Sequence, residues 1–326
     1  MGTARRKWQP QTRLQPCQSH VRHRSVLPAL MKPRLSRRDA LRSLAGAASL
    51  SALRANAATS AAAPGRVRHS ACKWCYKDIT LDAFCAAARE IGLESVELLN
   101  PADFSTLTRH GLHCAMVSNP TGKTPAGVTV GGITKAFNRP EHHDTLVALY
   151  ERRIPEVAAA GFENLICFSG NRDGLDDQQG LEHCAAGLRR LVATAEKHRV
   201  TLVMELLNSR VNHPDYMCDR TAWGVELCRR VGSERFKLLY DIYHMQIMEG
   251  DVIRTIQANA ACIAHYHTAG NPGRHEFEPQ DAQELNYPAI MRAILATGYR
   301  GFVGQEFLPT RDPLASLRAA VRLCTV

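Results

Sequence analysis

Residues 201–246 read TLVMELLNSRVNHPDYMCDRTAWGVELCRRVGSERFKLLYDIYHMQ. The stretch holds an apolar run ending in an acid (Thr201-Leu-Val-Met-Glu205), then an amphipathic segment closed by glycine (Thr221–Gly232). A second apolar run ending in an acid follows (Lys237-Leu-Leu-Tyr-Asp241). Short Val/Ile/Leu-rich runs without alternation suit strands covered on both faces, and a helix between two of them makes them parallel. The same unit recurs outward in both directions. Apolar runs stand at about 67–72, 95–99, 113–118, 164–169, 201–206, 236–242, 263–268 and 301–307. Helical spacing occupies Leu81–Gly92, His142–Gly161, Leu181–His198, Thr221–Gly232, Gly250–Ala261, Asn286–Gly298 and Asp312–Cys324, with a short helix at 104–111.

Gly92, Gly161, Gly232 and Gly298 follow these segments, where a left-handed cap is needed. Asp312-Pro313 suits an N-cap followed by proline at the first helical position. His142-His143-Asp144 is expected to cap the third long helix. Eight βα units predict a single-domain (β/α)8 barrel, a TIM barrel, over residues 67–326. A doubly wound open sheet is the competing arrangement, but no GxGxxG follows the first run. The Gly-, Thr- and Pro-rich stretch 119–141 is expected as a long third loop on the C-terminal face, placed to cover a site.

The chain has 326 residues, 45% hydrophobic and 22% charged, which excludes collagen, a long coiled coil and wholesale disorder. No apolar run reaches the ~18 residues that span a bilayer. The net charge of +10 is unevenly placed. Residues 1–68 hold 14 Lys and Arg against one acid, Asp39, for +13; the other 258 residues carry 27 bases and 30 acids, for −3. A basic surface for nucleic acid is therefore not expected.

Residues 1–66 are expected to be a disordered leader. Ser36-Arg37-Arg38-Asp39-Ala40-Leu41 is a twin-arginine pattern, and a mildly apolar stretch runs from Leu41 to Leu53. Ala55-Asn56-Ala57 then offers a small-residue cleavage site, with Met31 as the expected true start. These parts make an export signal, so the expected location is the periplasm, with the cytoplasm as the alternative. Ten cysteines after residue 68 show no paired framework; Cys72-Lys-Trp-Cys75 has no second CxxC to complete a zinc knuckle.

Acids and histidines end four successive late strands. These are Glu205, Asp241 (with His244 three residues on), His267 within Ala264-His-Tyr-His267, and Glu306 within Phe302-Val-Gly-Gln-Glu306. In a parallel barrel all four converge at one mouth. Three carboxylates together need a counter-charge. Three oxygen ligands and one imidazole suit Mn²⁺, Mg²⁺ or Co²⁺, with positions left for substrate. His265 and His267 are expected on opposite sides of their strand, and His267 is chosen because it lies nearer the C-terminal end. His244 is expected to donate to a substrate oxygen or to orient a ligand. Arg274 and Glu276 are expected to bind an anionic substrate or to pair with each other.

A metal holding two adjacent oxygens of a hydroxy-carbonyl acidifies the C–H between them, and two carboxylates, Glu205 and Glu306, can remove and return the proton. That is enediol chemistry, and it needs no organic cofactor. No GxSxG or P-loop is present. Four segments carry a resemblance: Met204-Glu205-Leu-Leu-Asn208, Tyr240-Asp241-Ile-Tyr-His244-Met-Gln246, His265-Tyr-His267-Thr-Ala-Gly and Gly301-Phe-Val-Gly-Gln-Glu306-Phe. Together they resemble the xylose isomerase-like TIM barrels, and within them the hydroxypyruvate isomerase group. Pro272-Gly-Arg274-His-Glu276, with Glu284-Leu-Asn286-Tyr287 downstream, is the most specific part. The resemblance covers about residues 67–326.

It implies a metal-dependent isomerase interconverting hydroxypyruvate and 2-hydroxy-3-oxopropanoate (tartronate semialdehyde). Glu205 and Glu306 would transfer protons, Asp241 and His267 would complete the metal site, and His244, Arg274 and Glu276 would contact substrate. A ketose 3-epimerase or sugar isomerase on the same scaffold is the alternative, and a non-catalytic secreted binding barrel the third reading. The expected partner is a small hydroxy-oxo acid or sugar. No nucleic acid and no membrane contact beyond export are expected, and a homo-oligomer is left open.

Overall fold

A computed structural model describes residues 66–279 and 282–326. The twin-arginine pattern, the Met31 start and the cleavage near Ala57 lie outside the described residues. Described strands in chain order are β1 (Arg68–Cys72), β2 (Ser95–Glu97), β3 (Gly122–Lys123), β4 (Thr129–Val130), β5 (Asn164–Cys167), β6 (Thr201–Glu205), β7 (Phe236–Asp241), β8 (Ile263–Thr268) and β9 (Phe302–Gln305). Seven form one parallel sheet in the order β2-β1-β9-β8-β7-β6-β5. Every residue of β6 is buried, as a strand covered on both faces requires.

The third predicted run, 113–118, forms no continuous strand. It instead bridges the two ends of the sheet. The Val96 and Leu98 amides donate to His113 and Met116 carbonyls (3.1 and 2.8 Å), and the Val117 amide donates to the Asn164 carbonyl (2.9 Å). Between these bridges, side chains replace the ladder. Ser95 Oγ accepts from the Ala115 amide at 2.8 Å, and Asn164 Nδ2 donates to the Ala115 carbonyl at 2.9 Å. The ring therefore closes as a TIM barrel with an irregular third position.

The helices are α1 (Leu81–Ile91), α2 (Phe104–Arg109), α3 (Pro140–Ala159), α4 (Asp177–His198), α5 (Thr221–Val231), α6 (Ile242–Met248), α7 (Val252–Asn259), α8 (Tyr287–Ala296) and α9 (Pro313–Cys324). Asp176 caps α4 by accepting from the Gln178 and Gln179 amides, and Asp312 caps α9 by accepting from the Ala315 amide at 2.7 Å. Gly92 closes α1 at φ +98°, the left-handed conformation its position predicts. Two local expectations are corrected. His142 and His143 do not cap α3, which starts at Pro140 after Arg139; their rings instead hydrogen-bond to the Ala136 and Phe137 carbonyls (3.1 and 2.8 Å). The extra helix α6 starts directly after β7, because Asp241 both ends the strand and caps the helix. The long third loop holds the β3–β4 hairpin.

His69 on β1 is buried, bonds Thr325 Oγ1 through Nε2 (3.0 Å) and has no partner for Nδ1 among the described residues. Burial, only partly offset by Glu94, lowers its pKa from 6.5 to about 4. The unfolded chain therefore takes up a proton that the folded chain refuses. His69 costs no stability above pH ~6.5, and stability falls as pH drops through the window toward 4. The expected loss from this residue is roughly 2 kcal/mol at pH 5. Urea unfolding of His69→Gln should show that much less difference between pH 7 and pH 5 than wild type. An equal pH dependence in both proteins would refute the assignment.

Candidate active site

Glu205 closes β6, Asp241 closes β7, His267 sits one residue from the end of β8, and Glu306 follows β9. Parallel register sets Asp241 beside His267. One ligand atom from each of the four lies within 4.8 Å of the others, and all four residues are buried. His267 Nδ1 stands 3.2 Å from Glu205 Oε1 and 3.1 Å from Glu306 Oε2.

The charges in this cluster are unequal. The Asp241 carboxyl is pushed up to about 8, by burial first and then by Glu306. Burial and Glu306 also raise Glu205. Burial acts the same way on Glu306, but His267 and Arg274 outweigh it and hold its carboxyl well below the usual range. Asp241 Oδ1 accepts the His244 amide at 2.8 Å, while Oδ2 is buried without a partner among the described residues. An orphaned carboxylate oxygen, two further carboxylates and an imidazole nitrogen fit an oxygen-preferring divalent cation.

His244 is completely buried, and burial together with Arg274 keeps it neutral, well below its ordinary pKa. Its tautomer follows from Asn208. Asn208 Oδ1 accepts the Val211 and Asn212 amides (2.9 and 2.8 Å), which turns its Nδ2 toward His244 Nδ1 at 2.6 Å. Nδ1 must accept there, so Nε2 carries the proton. That Nε2–H is buried without a partner among the described residues, 3.9 Å from Asp241 Oδ2.

Beside the cluster lies a cavity of about 380 Å³. Glu205, Glu306 and Arg274 line it together with the apolar side chains of Trp74, Ile133 and Phe168. Ile133 comes from the long third loop, as expected of a cover on this face. Arg274 Nη2 donates to Glu306 Oε2 at 2.6 Å, and its guanidinium lies 5.2 Å from the Trp74 ring centre. Arg274 Nε is buried with no partner among the described residues. Trp74 Nε1 donates to Glu306 Oε1 at 2.9 Å.

The expectation for Glu276 is corrected. Its carboxylate accepts from the Thr310 and Arg311 amides (2.9 and 3.1 Å) and from the Thr310 and Ser316 hydroxyls (2.9 Å each). It braces the segment after β9 and does not line the cavity. The expectation that His265 and His267 diverge is also corrected. Residues two apart on a strand share a face, and both Nε2 atoms reach Glu97 Oε1, at 2.8 and 2.7 Å. Glu97, Trp74 and Asn208 are site residues that sequence reasoning missed. Glu97 carried a usable signal, an acid inside the apolar run 95–99.

The family model described as xylose isomerase-like TIM barrel matches residues 85–324. The 2-oxo-tetronate isomerase of Cupriavidus necator is 30% identical, over 73% of this chain and 90% of its own length. The hydroxypyruvate isomerase of Escherichia coli is 29% identical, over 71% and 89%. A crystal structure described as an AP endonuclease, family 2, from Brucella melitensis superposes with a TM-score of 0.66 at 27% identity, covering 77% of this chain and 97% of that one.

Proposed function

Because the chain belongs to the xylose isomerase-like TIM-barrel family, we propose that this isomerase interconverts hydroxypyruvate and 2-hydroxy-3-oxopropanoate by enediol proton transfer. The observation that carries the reading is Arg274, a buried guanidinium on the cavity wall with an unpartnered Nε–H. It suits a substrate carboxylate, which a neutral ketose lacks. The relatives' names support the same class, since hydroxypyruvate and 2-oxo-tetronate are both 2-oxo acids with a hydroxyl on the next carbon.

Glu205, Asp241, His267 and Glu306 would hold a divalent cation, with Mg²⁺, Mn²⁺ and Co²⁺ as the expected choices. Bound there, it would draw electron density from the two adjacent substrate oxygens and acidify the C–H between them. Arg274 holds the carboxylate. His244 Nε2–H donates to the oxo oxygen. Glu205, whose carboxyl is raised by burial and Glu306 while that of Glu306 is lowered, is the stronger base and removes the C3 proton. A substrate carboxylate drawn to Arg274 competes with Glu306 Oε2 for the guanidinium, so Glu306 can take a proton from solvent and deliver it at C2, while Glu205 returns the C3 proton to solvent. The O3 hydroxyl proton passes to O2, so the atoms balance with no oxidant or reductant.

The test follows hydroxypyruvate in D₂O by proton NMR with Mg²⁺-loaded protein, and 2-oxo-tetronate in parallel. Conversion or solvent deuterium uptake is the expected result. Arg274→Met should raise KM for hydroxypyruvate about 10- to 200-fold, the worth of a lost hydrogen bond to a charged group. No exchange with either acid, but C3 epimerisation of a ketose such as D-fructose, would overturn the substrate class in favour of the epimerase reading.

A further inference from the structure

We propose that Glu97 is a positioning residue that fixes His267 as its Nε2–H tautomer and so aims the Nδ1 lone pair into the cation site; this rests on the reading of Glu205, Asp241, His267 and Glu306 as ligands. Glu97 ends β2, and in the sheet β1 and β9 separate it from β8. Its contact with His267 therefore crosses the barrel interior. Glu97 is fully buried, and its Oε1 faces His267 Nε2 at 2.7 Å and His265 Nε2 at 2.8 Å. An ionised carboxylate only accepts, so both rings must present N–H there. With a cation bound, the ligating imidazole is neutral and has one N–H. With it at Nε2, Nδ1 is left as a lone pair, and Nδ1 is the atom that faces Glu205 and Glu306. A histidine ligand oriented through its other nitrogen is a general way of holding a metal.

Gly304 preserves this contact. It pairs with His267 in register, and a Cβ on it would stand 2.5 Å from Glu97 Oε1 and 2.9 Å from His267 Cδ2. Any side chain there would push the carboxylate and the imidazole apart. His265 has its Nδ1 buried without a partner. Its hydrogen bond gives the same Oε1 of Glu97 a second N–H donor.

The experiment measures Mn²⁺ affinity of the full-length chain by electron paramagnetic resonance, in wild type and in Glu97→Gln. Alongside it, ¹⁵N-histidine NMR of the Mg²⁺-loaded wild type reads the tautomer. The expected results are a Mn²⁺ affinity lowered 10- to 100-fold in the variant and a proton on Nε2 of His267 in the wild type. An affinity within threefold of wild type in a folded variant would overturn the proposal. So would a proton on Nδ1 of His267 in the loaded wild type, a readout that stands even if Glu97→Gln fails to fold. A wild type that binds no Mn²⁺ would remove the ligand reading itself, and the proposal with it, which separates that failure from an error about Glu97 alone.

Discussion

Glu306→Gln is expected to lower turnover of hydroxypyruvate by roughly 10³- to 10⁴-fold, the upper range for losing an acid–base group, while the protein stays folded. Glu306 Oε1 accepts from Trp74, and Oε2 faces both Arg274 Nη2 and His267 Nδ1. Glutamine keeps one acceptor. If that oxygen stays with Trp74, the amide NH₂ confronts the Arg274 donor, and if it turns to Arg274, the NH₂ confronts Trp74. In either orientation the negative charge that balances Arg274 is gone, so the damage falls on the chemistry and on carboxylate binding together. Conversion of hydroxypyruvate to 2-hydroxy-3-oxopropanoate measures the first, and the melting temperature checks the fold. A variant retaining more than a tenth of wild-type conversion would remove Glu306 from the proton-transfer step. Glu205→Gln should be similarly slow. The double variant should lose little more than either single one, because residues acting as a unit are not additive.

Much of this site is legible in the amino-acid sequence, for a definite reason. A parallel barrel sends every strand end to one face, so an acid or histidine at the end of an apolar run is placed by topology alone. Glu205, Asp241, His267 and Glu306 meet because each sits at such an end. Glu97 sits at one too, but β2 stops at Glu97, whereas the apolar run continues through Leu98 and Leu99. Composition does not mark where hydrogen bonding leaves the ladder, so Glu97 has the pattern of a mid-strand residue. The third strand position is hidden for a different reason. Ser95 and Asn164 supply its hydrogen bonds from outside the segment, and no periodicity within 113–118 reports that. Glu276 follows Arg274 closely in sequence, yet the chain between them turns through a left-handed Arg274 (φ +63°), and the two side chains part. Trp74 and Asn208 act through contacts with residues distant in sequence or fixed by loop turns, which patterning does not encode.

Asp241→Asn should separate stability from function in opposite directions. Without a cation, Asp241 is a buried carboxyl beside Glu205 and Glu306, with Oδ2 unpartnered. Asparagine keeps the oxygen that accepts the His244 amide and caps α6, and it removes a carboxyl that must take up a proton from neutral solution to be buried there. In EDTA the variant should be more stable than wild type by on the order of 2–4 kcal/mol, which for a domain of this size raises the melting temperature by roughly 5–10 °C. Saturating Mg²⁺ or Mn²⁺ should then reverse the order. Cation at about 1,000 times its dissociation constant stabilises wild type by about 4.1 kcal/mol, and the variant, having lost a charged oxygen ligand, should gain little. Calorimetry with EDTA and with metal gives both halves. A variant less stable than wild type in EDTA would mean that Asp241 is already paired by something other than a cation. A full metal-dependent shift in the variant would mean that Asp241 is no ligand. The expected crossing would show an apo barrel carrying strain at the mouth that only a bound cation relieves, so that the group which costs the fold most is the one the chemistry requires.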